Sequence, residues 1–118
     1  MNSLVGIIAV FIGSGIGGVC RWALSLWLNA GHPYGTFAAN ILGCFIIGLL
    51  SRMMPMSDTA RLLLTVGFCG GFTTFSTFIN ENLLMLRGGQ LVSALLYITV
   101  SIVSGLLAAW AGYNIRIR

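Results

Sequence analysis

Residues 70–78 read GGFTTFSTF, and they lie inside a long apolar run from Leu62 to Leu86. A lipid-facing helix gains nothing from such residues. Gly67, Gly70 and Gly71 lower helix propensity, and the hydroxyls of Thr73, Thr74, Ser76 and Thr77 can bond freed backbone groups. At bilayer depth, non-helical backbone is tolerated only inside protein or beside a cavity. The stretch is therefore expected to break its helix near the membrane midplane, around Thr74, and to expose carbonyls that need a partner. A small hard cation such as sodium takes oxygen ligands of this kind, as the half-helix ends of transporters do. One chain supplies few such ligands, and a symmetric pair supplies twice as many.

Composition supports the membrane setting. Of 118 residues, 58% are hydrophobic and 7% charged, against roughly 25% charged in ordinary soluble domains, and mean hydropathy is +0.99. The apolar runs are Leu4 to Leu28, Gly35 to Ser51, Leu62 to Leu86 and Leu91 to Ile115. A spanning helix needs about 20 such residues, with a range of about 17 to 25, so four spans fit with little left over. The first run is too long, and lacks the basic start, for a cleaved signal peptide. None of the runs alternates as barrel strands do. The expected fold is an all-α bundle of four transmembrane helices forming one domain over residues 1–118.

Short connections with helix breakers separate the spans: NAGHPYG (29–35), RMMPMSDTAR (52–61) and RGGQ (87–90). The net charge of +4 comes from arginines without lysine. Their scatter at span ends fits anchoring at the membrane surface rather than a nucleic-acid partner. With the N-terminus inside, Arg52, Arg61, Arg116 and Arg118 fall on the inner side and Arg21 and Arg87 toward the outer, a bias too weak to set orientation. Cys20, Cys44 and Cys69 lie within spans without metal-like spacing and read as small apolar residues. His32, beside Pro33, reads as a solvated loop residue.

GSGIGG (13–18) matches the dinucleotide pattern G-x-G-x-x-G only formally, because that pattern needs a strand before it and an acid about 20 residues on, and the first acid here is Asp58. Close helix packing through Gly13 and Gly17 accounts for it better, and Ser101, Gly105 and Ala109 repeat the spacing in the fourth span. The partner helix lies either in the same chain or in a second copy. In the second span Thr36 and Asn40 share a face, with Gly43 near it. An amide at this depth needs partners: either an interhelical hydrogen bond or a role as a donor lining a pore.

Beyond the expected break, Phe75 and Phe78 share one face, while Thr74, Thr77 and Glu81 form a stripe on another. Two phenylalanines on a membrane helix serve either as packing or, through the positive edges of their rings, as the lining of an anion path without a trapping charge. The residues by themselves indicate a small homo-oligomeric membrane pore for an anion. GGFTTFSTF, PYGTFAAN (33–40) and the pair Arg21–Trp22 together resemble the Fluc/CrcB family of bacterial fluoride channels, over all four spans. The resemblance implies an antiparallel, dual-topology homodimer in the inner membrane that passively releases cytoplasmic fluoride. It makes Asn40 the polar pore residue and Phe75 and Phe78 an aromatic box. Thr77, Glu81, Tyr97 and Ser101 become the polar side of the pathway, and Arg21 the basic residue near the vestibule. It assigns the backbone carbonyls of Gly70 and Thr73 to a structural sodium ion at the dimer axis. Ile79, where many relatives carry a small residue, and Ser104 with Gly105 depart from the family pattern outside the core motif.

Two other readings compete with this one. A four-span multidrug exporter relies on a carboxylate in its first span, and here the acids are Asp58 and Glu81. A non-transporting membrane scaffold explains the glycines but gives no reason for Asn40, Phe75, Phe78 and polar stripes in separate spans. An enzyme is not expected, since no nucleophile sits beside a base.

Overall fold

The computed structural model describes residues 2–29, 33–53 and 55–115. The loop reading of His32, and the placement of Arg116 and Arg118, fall outside the described residues. Helix α1 runs Ser3–Leu28 and α2 Tyr34–Arg52. A third span, Asp58–Arg87, comprises α3 (Asp58–Arg61), a π-helical stretch Leu62–Cys69, α4 (Gly70–Phe72) and α5 (Ser76–Arg87). Helix α6 is Leu91–Tyr113. Four helical segments are thus long and apolar enough to cross a bilayer, and the chain is an all-helical, multi-pass membrane protein.

The ends of these helices follow local chemistry. Asn2 caps α1 by accepting the Leu4 N–H at 2.8 Å. The third span starts at Asp58, earlier than the apolar run predicts. Ser57 accepts the Ala60 N–H at 3.1 Å and Asp58 sits in the first turn, where a side-chain cap and a negative charge both favour a helix start. Between α5 and α6, Gly89 holds φ at +76°, a conformation that costs a glycine little, and the chain turns back on itself there.

Small residues make the packing. On α1, a side chain at Gly13 would strike the Leu63 carbonyl, and one at Gly17 the Phe68 carbonyl. Gly71 returns the contact against Ser14. The other glycines of GSGIGG, Gly15 and Gly18, have nothing within 4 Å of an added Cβ, so the glycines that matter are those with the four-residue spacing. The same device joins α2 to α6: Gly48 lies on the Ala109 carbonyl, Gly112 on the Phe45 carbonyl, and Gly105 within 3.2 Å of the Cys44 sulfur for an added Cβ. These contacts are within one chain. Close backbone approach of this kind replaces the hydrophobic drive that lipid does not supply. Large apolar side chains point outward instead, Phe11 and Trp27 being 79% and 78% exposed. The fully buried side chains are small or polar, Thr36 and Cys69 being the largest of them.

Candidate functional site

The site is built where α2 crosses the interruption in the third span. Helical backbone stops at Phe72, Thr73 is extended at φ −87° and ψ 157°, and helix resumes at Ser76. The bonds that a continuous helix would make are redistributed. The Cys69 carbonyl accepts both the N–H and the hydroxyl of Thr73, at 3.0 and 2.8 Å. Arg21 donates from Nε to the Gly71 carbonyl at 3.3 Å. Thr74 gives its N–H to Asn40 Oδ1 at 2.7 Å and receives Asn40 Nδ2 on its carbonyl at 3.1 Å. This reciprocal pair also fixes which end of the Asn40 amide is oxygen. The Thr77 N–H goes to Thr74 Oγ1 at 3.3 Å. Among the described residues, no hydrogen bond reaches the Gly70 or Thr73 carbonyl. Gly43, one turn after Asn40, admits the Thr73 methyl group where a Cβ would collide with it.

Beside this crossing lies a cavity of about 340 Å³ lined by Asn40, Cys44, Phe75, Phe78 and Ser101, among others. Its polar groups are incompletely used. Asn40 Nδ2 carries two N–H groups and donates one of them to Thr74. The Ser101 hydroxyl is buried without a hydrogen-bond partner among the described residues. The rings of Phe75 and Phe78 stand 6.4 Å apart at 43°, and Tyr97 meets Phe78 edge-on at 4.9 Å.

A second polar cluster sits on the same helices. The Glu81 carboxylate accepts the Thr36 hydroxyl at 2.8 Å on one oxygen and the Tyr97 hydroxyl at 2.9 Å on the other. Spans two, three and four are thereby tied through one side chain. Thr36 is almost fully buried, so its hydroxyl requires such an acceptor.

Of the residues singled out by sequence, Asn40, Phe75, Phe78 and Ser101 share the cavity. Glu81 and Tyr97 bond to each other, and Tyr97 reaches the cavity only through Phe78. Thr77 is tied by its backbone to Thr74. Arg21 lies against Gly71 rather than at the cavity wall. The two phenylalanines do not share one environment: Phe75 precedes α5 and is 75% exposed, whereas Phe78 is 8% exposed. Phe75 is the cap residue of α5, its carbonyl accepting the Ile79 N–H at 2.9 Å, so the helical spacing holds while the burial of the two rings differs. Sequence reasoning passed over Cys44 and Ile47 as cavity residues. They continue the Asn40 face of α2 at four and seven residues, a stripe visible in the sequence once that face is chosen.

Residues 8–113 match the family of CrcB-like proteins described as Camphor Resistance (CrcB). The chain belongs to the CrcB-like family. It is 42% identical over 113 residues to the protein named Fluoride-specific ion channel FluC of Phocaeicola vulgatus, covering 90% of this chain and 93% of the relative. To the FluC of Serratia proteamaculans it is 48% identical over 116 residues, covering 89% and 91%. To that of Bacteroides fragilis it is 45% identical over 116 residues, covering 90% and 91%. The CrcB-like match encloses the whole α2 crossing, the interruption and the cavity.

Proposed function

We propose that this chain is a fluoride-selective channel that lets cytoplasmic fluoride leave down its gradient, and so confers fluoride resistance. The relatives named as fluoride-specific channels support the ion. One observation carries the site: two residues with unused neutral donors, Asn40 with its second N–H and Ser101 with its hydroxyl, line the same cavity as Phe75 and Phe78. Fluoride is small and strongly hydrated, so a path through a membrane must replace its water without holding it. Neutral donors and the positive edges of aromatic rings meet that need, whereas a fixed charge at the constriction would trap the ion. The Arg21 charge is set back, with Nε against a backbone carbonyl. Glu81, Thr36, Thr77 and Tyr97 extend the polar side of the path, with Glu81 as the acceptor that orients the hydroxyls. No bond is made or broken in conduction, so this reading has no enzymatic step.

The working unit in this reading is an antiparallel, dual-topology homodimer in the bacterial inner membrane, with the Thr73–Phe75 interruption as the midplane break of the third spanning helix. Gly70 is exposed, and nothing within its own chain lies near it, which leaves room for an inverted copy to approach. The residues also fit a structural sodium ion: the Gly70 and Thr73 carbonyls are without donors, and hard cations favour oxygen ligands. These carbonyls from two chains would hold the ion, whose charge would stabilise oxygens otherwise left without partners.

Fluoride efflux from proteoliposomes, followed with a fluoride electrode, tests the proposal. The expected outcome is rapid fluoride release with little chloride flux, because a larger ion fits a ring-lined constriction badly. Equal fluoride and chloride fluxes would reject it.

A further inference from the structure

We infer that Asn40 and Thr74 are positioning residues of the carbonyl site, keeping Gly70 and Thr73 free for a cation by drawing away the N–H groups that a helix would direct to them. The inference rests on the sodium reading above and adds how the site is made. In an α-helix each N–H bonds the carbonyl four residues earlier. The natural partner of the Gly70 carbonyl is therefore the Thr74 N–H, and that of the Thr73 carbonyl is the Thr77 N–H. Both have been redirected to side chains. Asn40 Oδ1 takes the first at 2.7 Å and Thr74 Oγ1 takes the second at 3.3 Å.

The intervening Gly71 carbonyl is claimed by Arg21, and the Thr74 carbonyl by Asn40 Nδ2. The interruption thus leaves the Gly70 and Thr73 carbonyls open, with that of Phe72 between them, while the Gly71 and Thr74 carbonyls receive side-chain donors. Because Asn40 also lines the cavity, one amide joins the two sites. Its oxygen and one N–H shape the carbonyl site, and its second N–H is left without a partner in a residue that lines the cavity.

The purified dimer in detergent provides the test, with thermal unfolding followed as sodium replaces a large organic cation at constant ionic strength. A ligand that binds only the folded state raises the unfolding temperature with its concentration, so the half-effect sodium concentration reports the site itself and not general stability. Asn40→Leu and Thr74→Val keep side-chain volume but lose the accepting oxygen. In each, the freed N–H returns to its helical carbonyl, and the half-effect concentration should rise about ten-fold because the ion then competes with a hydrogen bond already made. Thr74→Ser keeps the accepting oxygen and should stay close to the parent. If one apolar variant does not assemble, the other carries the test alone. A parent that shows no sodium dependence overturns the sodium reading and this inference with it. A sodium-dependent parent whose apolar variants respond as it does, or whose Thr74→Ser variant shifts as far as Thr74→Val, overturns the inference only.

Discussion

At the residue scale, Asn40 and the two phenylalanines are where the proposed path is tested against structural roles. Phe75 is mostly exposed and Phe78 is buried against Tyr97, so their replacement should have unlike effects on folding and like effects on flux. We expect Phe75→Ile to leave thermal unfolding of the protein near that of the parent and to cut fluoride efflux at least about ten-fold, the cost of losing about 1.4 kcal/mol of interaction with the passing ion. Phe78→Ile should cut efflux similarly and also lower stability, by about 1 to 3 kcal/mol, because a branched side chain fits the edge-on Tyr97 contact badly. Efflux and unfolding measured on the same preparations check both. Asn40→Asp should abolish efflux while keeping the fold: it retains the oxygen that accepts from Thr74 but places negative charge on the proposed anion path. Unchanged efflux in all three variants would mean that the path runs elsewhere.

At the element scale, the four-residue spacing of Gly13 and Gly17 marks a packing face on α1, and the structure places these two glycines in contact. Gly13 and Gly17 meet the backbone of the third span, while Gly15 and Gly18 meet nothing. Gly17→Val should therefore destabilise the protein by about 1 to 3 kcal/mol, the usual cost of overpacking, and Gly18→Val should change stability by less than about 0.5 kcal/mol. Unfolding curves in detergent distinguish the two, and equal effects would contradict the contact pattern. The break-prone composition of GGFTTFSTF was legible because several glycines and hydroxyls cannot serve a lipid-facing helix. The partners of each freed group were not legible, since Asn40 meets Thr74 across 34 positions of sequence.

At the scale of the whole molecule, α1 packs on the first part of the third span and α2 on α6. Arg52, at the end of α2, lies 5.7 Å from the Tyr113 ring at the end of α6. The cation and the aromatic ring thus meet at one end of the bundle, where interfacial side chains belong. The arginines as a set give only a weak preference for one orientation, and orientation follows the arginine asymmetry of short loops. The dual-topology reading proposed above has chains inserting both ways and pairing as inverted copies. A C-terminal tag is expected to be labelled from both sides of the membrane in intact cells and inverted vesicles. Labelling from one side alone would exclude the antiparallel dimer.

The sequence by itself determined the spans, the membrane setting and the small-residue faces, because apolar run length and residue volume are properties of the chain taken locally. It also marked the interruption and the family through a compact motif. Only the tertiary structure decided that Asn40 bonds Thr74, that Thr36 and Tyr97 converge on Glu81, that Arg21 turns to Gly71, and that Phe75 and Phe78 differ in burial. The physical reason is that a polar group inside a membrane takes whichever partner the packing of other helices brings within about 3 Å. That partner is set by the close approach of glycine-lined helices far apart in sequence, and no local pattern encodes it.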